Sequence, residues 1–207
     1  MDFESNLKAN SQKLTAVFVG RSGCGKGTQA KLLINYLKSK SETPVFYLEN
    51  GKTFRDLLQD KTYTGNLASS VNSQGGLQPE FLAIWAWSNL LVQNLRGDEH
   101  LIIDGVPRRF NEAPILDSAF KFYKREKPVI VHVKVSREWS KERLLSRGRS
   151  DDSEDVIEKR LSWFDIDALP AINYFREKPD YRLIEVNGEQ AIEKVHGDLV
   201  ESIFGTK

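Results

Sequence analysis

GRSGCGKGT, residues 20–28, follows TAVFV (15–19) and precedes KLLINYLK (31–38). An apolar β-branched run, a glycine-rich turn and a helix-periodic segment in that order describe a strand feeding a phosphate-binding loop. Glycines let backbone N–H groups turn inward around phosphate oxygens, and the following helix N-terminus adds positive potential. Lys26 would reach the outer phosphates. The strict pattern G-x-x-x-x-G-K-[ST] is missed by one residue, because Gly27 stands between Lys26 and Thr28. A glycine turn serving packing alone is the competing reading, and the strand before and helix after it favour phosphate. Cys24 reads as a small residue in a crowded loop. As the one cysteine, it leaves no disulfide framework and no cysteine-rich zinc cluster within the chain.

The same rhythm continues outward. VFYL (45–48), LIID (101–104), VIVHVKV (129–135) and RLIEV (182–186) read as further strands. Helical patterns fall at 26–40, 79–96, 111–125, 137–147, 153–177 and 190–203. Short, nearly uniformly apolar strands separated by helices predict a parallel sheet covered on both faces. Two segments fit poorly and read as mobile additions near the mouth of the sheet: the polar stretch 50–78, with Gly65, Gly75 and Gly76, and the arginine-rich break 148–152. Phe81, Trp85 and Trp87 read as core, Tyr174 and Phe175 as packing residues, and His100, His132 and His196 lack metal-ligand spacing.

The 207 residues carry 30 Lys plus Arg against 29 Asp plus Glu, a balance that argues against a dedicated nucleic-acid or membrane-surface binder. The charge is unevenly placed: residues 121–149 hold ten cations against three Glu, and 151–158 then hold five acids. That pattern predicts a local anion site, with a solvated charged face as the alternative. The polar amino terminus is unlike a secretory signal, and FLAIWAW (81–87) is far shorter than the roughly 20 residues of a membrane span. A reducing, cytosolic setting is expected. Asp104, at the end of LIID, is placed to organise Mg²⁺ through water, or else to cap a turn. Pro107 fixes the backbone beside Arg108 and so aims its side chain.

GCGKGTQ, DGVPR and R-x-x-x-R-x-R-x-D-D (143–152), with Arg160 eleven residues beyond Arg149 and VNGEQ at 186–190, together resemble the adenylate kinase family of nucleoside monophosphate kinases, short-lid type. The resemblance runs from about Thr15 to the end. It implies a single P-loop NTPase domain over 1–207, three-layer α/β/α around a five-stranded parallel sheet, with a monophosphate-binding segment at 50–78 and a short lid at 148–152. It implies MgATP + AMP ⇌ 2 ADP, with ATP and Mg²⁺ as cofactors, nucleotides as the only partners, and a monomer. ATP would be held by Gly23, Cys24, Gly25, Lys26, Gly27, Thr28 and Gln190, with Arg143 on the adenine and Arg147 on phosphate. Lys26, Arg108, Arg147, Arg149 and Arg160 would grip the transferring group, and Asp151 and Asp152 would orient arginines. Asp104 would hold the magnesium waters.

The monophosphate site is matched in part. Asn50, Gly51, Arg55, Gly76, Leu77, Gln78, Gly105, Arg108, Glu112, Arg149 and Arg160 fall at its positions. ENGKTFR (49–55), however, puts Asn50 and Lys52 where the family usually has Thr and Asp. Glu112 stands where adenylate kinases carry the Gln that pairs with adenine. Gln both donates and accepts, whereas ionised Glu only accepts. AMP remains the expected acceptor. A kinase for GMP, CMP or UMP and a nucleotide-binding regulatory ATPase are the alternatives. The spacing from Thr28 to Asn50 predicts a long first helix or a loop around Lys38–Pro44, and the short lid leaves no room for a zinc lobe. Gly51, Gly75, Gly76 and Gly148 are expected near flexing points.

Overall fold

The computed structural model describes residues 13–148 and 153–205. Five strands are all parallel: β1 (Thr15–Val19), β2 (Val45–Glu49), β3 (His100–Asp104), β4 (Val129–Lys134) and β5 (Arg182–Asn187), in the order β2-β3-β1-β4-β5. Side chains alternate across a strand, and each face is apolar. Val17, Val19, Leu101, Ile103 and Ile130 join one buried cluster, while Ala16, Phe18, Ile102, Val129 and Val131 join the other. Helices cover both, which gives the expected α/β/α layers. Uniform burial holds for β1 but not for the outer strands. β2 is mostly half-buried, and β5 alternates exposed and buried positions because each is a sheet edge.

Helix α1 (Lys26–Lys40) and the short loop after it together account for the long first crossover. Segment 50–78 is helical: α2 (Asn50–Gln59) and α3 (Tyr63–Ser73), the latter capped by Thr62 Oγ1 accepting from Gly65 N at 3.1 Å. A Cβ on Gly65 would stand 2.2 Å from Asp60 O, so only glycine lets the two helices meet this closely. Helix α4 (Glu80–Asn94) overturns part of the core expectation. Trp87 is 1% exposed, but Phe81 is 71% and Trp85 50% exposed. Residues 81–87 are an unbroken apolar run, so period alone does not show which face turns inward there.

Helices α5 (Glu112–Phe122) and α6 (Arg137–Arg147) follow β3 and β4. The single helix expected over 153–177 is instead α7 (Glu154–Trp163), a π-helical turn (Phe164–Ala168) and α8 (Leu169–Arg176). Pro170 has no N–H and its ring crowds the carbonyl four residues back, so the α ladder is interrupted just upstream. Phe175 is buried and Tyr174 packs against the same cluster. Helix α9 (Ile192–Phe204) closes the fold. No helix among the described residues is long and apolar enough to cross a membrane, and no group of His, Cys, Asp or Glu there could hold a metal ion.

Candidate active site

The loop between β1 and α1 lies at the carboxyl ends of the strands, where open α/β sheets bind ligands. Gly23 (φ 83°) and Gly25 (φ 89°) take left-handed backbone, which turns the chain tightly into α1. No side chain caps the start of α1, so its first N–H groups stay open to an anion. Lys26 Nζ donates to Arg21 O at 3.4 Å, and Cys24 is buried beneath the loop. Burial raises the Cys24 thiol above its usual range despite the pull of Lys26, so it remains a neutral packing group.

Beside this loop a cleft of about 260 Å³ is bounded by Gly23, Cys24, Gly25 and Thr28, by Trp139, Arg143 and Arg147 of α6, and by Gln190. Ser136 Oγ caps α6 by accepting from Trp139 N at 3.2 Å. The Arg143 guanidinium lies 4.5 Å from the Trp139 ring centre. Gln190 Nε2 donates to Asn187 O (3.0 Å) and Asp198 Oδ2 (3.2 Å). Of the residues expected to hold ATP, Gly23, Cys24, Gly25, Thr28, Arg143, Arg147 and Gln190 line this one cleft, and Lys26 and Gly27 do not. Arg149, Asp151 and Asp152 lie outside the described residues.

Asp104 ends β3 next to the loop. Its Oδ2 lies 2.9 Å from where a Cβ on Gly27 would stand and accepts from Tyr47 Oη at 3.3 Å. Burial and the nearby Asp104 and Glu49 carboxylates raise the Tyr47 phenol above its usual range and keep it a donor. Asp104 Oδ1 is buried with no partner among the described residues. A carboxylate with one oxygen held by Tyr47 and the other unpartnered has acceptor capacity left for a water of a hydrated Mg²⁺.

Across the cleft, arginines from three elements converge. A Cβ on Gly51 would stand 3.2 Å from Arg55 Nη1 and 3.9 Å from Arg108 Nη2, so both guanidiniums flank one point above Gly51. Arg160, on α7, lies within electrostatic reach of Arg108, as do Asp104 and Glu112. Arg108 Nε donates to Gly105 O at 3.1 Å, and the Val106–Pro107 peptide is cis. Arg55 Nη2 donates to Glu49 Oε1 at 2.6 Å, whereas Lys52 turns onto Asp56 at 2.5 Å. Asn50 is 0% exposed, and neither atom of its amide has a partner among the described residues.

Glu112 is also placed beneath this site, 1% exposed. Its Oε1 accepts from Arg108 N (3.2 Å) and Arg109 N (3.1 Å) and thereby ties down the turn before α5. Oε2 is buried and closes no hydrogen bond among the described residues, and the nearby donor Trp87 Nε1 is likewise buried without one. Burial pushes the Glu112 carboxyl above the usual carboxylate range, against the lowering pull of the Arg108 and Arg109 N–H groups and the Arg108 charge. Arg109 donates to Gln78 O (2.9 Å) and Leu77 O (3.4 Å), and Gln78 Nε2 to Ala68 O (2.8 Å). Gly76 packs against Val71, and Lys159 Nζ reaches Gln74 O at 2.9 Å, so segment 50–78 touches α7.

Several contributors carried no motif. Tyr47 and Glu49 share the strand parity that faces Asp104, Trp139 sits one helical turn before Arg143, and Arg109 is the second arginine of IIDGVPRR. Arg21 makes a two-pronged contact with Asp165 in the π turn (2.6 and 2.9 Å), its guanidinium 4.6 Å from the Phe164 ring centre. That contact joins the phosphate loop to the helix run that carries Arg160.

Comparison with known proteins identifies the family. The family model described as adenylate kinase matches residues 18–180. Adenylate kinase 1 of Nostoc sp. is 30% identical over 186 residues, covering 88% of this chain and 95% of its own length. Adenylate kinase 1 of Synechocystis sp. is 30% identical over 187 residues, 88% and 93% of the two chains. The adenylate kinase of Azobacteroides pseudotrichonymphae is 30% identical over 190 residues, 89% and 94%. By its motifs, its sheet order and these matches, the chain belongs to the adenylate kinase family.

Proposed function

We propose that the chain catalyses the reversible transfer of a phosphoryl group from MgATP to AMP, giving two ADP. It is a nucleoside monophosphate kinase, a phosphotransferase. The observation that carries the reading is the convergence of Arg55 and Arg108 over Gly51, opposite a phosphate loop whose helix start is uncapped. Two polyanions would meet end to end between them.

Phosphoryl transfer needs positioning and charge neutralisation more than covalent chemistry, and no side-chain nucleophile is required. Lys26 and the open amides of α1 would hold the donor phosphates, and Arg143, backed by Trp139, would pack on its base. Arg55 and Arg108 would hold the acceptor phosphate, and Arg147, Arg149 and Arg160 would surround the transferring group. Mg²⁺, held through water by Asp104, would supply further charge neutralisation. Glu112 would act chiefly by fixing the Arg108–Arg109 turn, and Arg109 by holding the main chain at Leu77 and Gln78, where the acceptor base would lie. Segments 50–78 and 148–152 would close to exclude water, with flexing near Gly51, Gly75, Gly76 and Gly148. The chain would act as a monomer in the cytosol on free nucleotides.

The decisive experiment compares ADP formation from ATP with AMP, GMP, CMP, UMP and dTMP. AMP should be the best acceptor. A tenfold preference for another monophosphate, or ADP formation indifferent to any of them, overturns the reading.

A further inference from the structure

We infer that Glu49 is a resident counter-anion at the acceptor site, paired with Arg55 beside the place where the phosphate of the incoming monophosphate would bind. The inference rests on the AMP reading above and adds a residue that tunes how tightly that site takes its substrate.

Arg55 and Arg108 flank the point above Gly51, so two like charges are held together there, with Arg160 adding a third nearby. Like charges this close repel, and a neighbouring anion relieves the repulsion. Glu49 is that anion: its Oε1 lies 2.6 Å from Arg55 Nη2, at full charge-assisted hydrogen-bond distance. Its position follows from the sheet. Glu49 is the last residue of β2 and the register partner of Asp104, and α2 starts at the next residue. Arg55 lies six residues on, which brings its side chain back over the strand end. Lys52 does not compete for Glu49, because it pairs with Asp56.

The pair is not buried, at 49% exposure for the Arg55 side chain and 27% for Glu49, so exchange with a ligand is open. Arg55 Nη1 faces the point above Gly51 while Nη2 holds Glu49, so a phosphate monoester bound by Arg55 and Arg108 would share the Arg55 guanidinium with the carboxylate and stand beside a like-charged group. Glu49 therefore weakens acceptor binding while keeping Arg55 folded toward the site.

The test is calorimetric titration of AMP and, as reference, ATP into the wild-type chain, Glu49→Gln and Glu49→Ser. The AMP affinity should rise about three- to fivefold relative to ATP in both variants, the worth of an exposed ion pair. The gain should shrink as salt is raised, since the repulsion is screened. An affinity ratio that is unchanged, moves against AMP, or stays insensitive to salt overturns the inference. Failure of the wild-type chain to bind AMP is a separate outcome, which removes the function proposed above and this inference with it.

Discussion

Gly27 separates Lys26 from Thr28, and the structure assigns it a job that can be tested. A Cβ there would stand 2.9 Å from Asp104 Oδ2, whereas ordinary contact begins at 3.4 Å. Gly27→Ala therefore displaces the carboxylate by about half an ångström. The carboxylate can yield by rotating, at the cost of its 3.3 Å hydrogen bond from Tyr47, worth about 1 kcal/mol. Alanine in the first turn of α1 returns up to about 1 kcal/mol through helix propensity. Stability should thus stay nearly level. Catalysis should not, because misplacement on the ångström scale costs up to about 100-fold. We expect kcat to fall at least tenfold in a coupled ADP assay, with more Mg²⁺ needed for half-maximal rate and little change in melting temperature. A kcat within twofold of wild type, or a loss of activity matched by a comparable loss of stability, would refute the assignment of Gly27 to the space beside Asp104.

Other outcomes follow from the same geometry. Arg143→Ala should raise the KM for ATP about three- to tenfold, the range of a cation–π and stacking contact, with a smaller change in the KM for AMP. Arg149→Ala, in the expected lid, should lower turnover about 10³-fold, as removal of a transition-state arginine does; an effect below tenfold removes it from the catalytic set. Asp117 gives a pH prediction. Burial raises its pKa, but Tyr181, Lys178, Tyr174 and Lys121 outweigh that and hold it at about 2, against 3.8 unperturbed. A depressed folded pKa adds stability above the unfolded value that is lost as pH falls from about 4 to 2. Asp117→Asn should therefore cost about 2 kcal/mol at neutral pH and flatten acid unfolding across that window, measured by denaturant melts at stepped pH.

The elements that carry the expected donor half could be read directly from sequence, and the reason is local. β1, the glycine turn and α1 are contiguous, and the predicted bounds 26–40 and 137–147 coincide with the helices that form. Ser136 and Gly148 punctuate α6, and burial on both faces makes β1 a plain apolar run. Where contacts between distant segments decide, the reading weakened. The π turn needs Pro170 to act on the ladder ahead of it, and the exposure of Phe81 and Trp85 depends on which side of the apolar run 81–87 meets the sheet. The helices α2 and α3 have modest intrinsic signals, and the close approach at Gly65 is visible only once both are folded.

The acceptor half shows why motif departures there mislead when read singly. Lys52 stands where the family usually has Asp, yet it is tied to Asp56 within its own helix. The carboxylate next to Arg55 comes instead from Glu49, three residues earlier and on the neighbouring strand end. Glu112 suggested a changed preference between bases, yet one of its oxygens is engaged by two main-chain N–H groups and the side chain is nearly enclosed. In each case the chemistry of a position is set by what its neighbours leave available. The proposed acceptor site draws Arg55, Arg108 and Arg160 from three separate elements, and each sits near an acid of the chain or the charge of another arginine. A cluster built that way keeps the chain foldable without ligand, and on the proposed function acceptor affinity would depend on the acids as much as on the arginines.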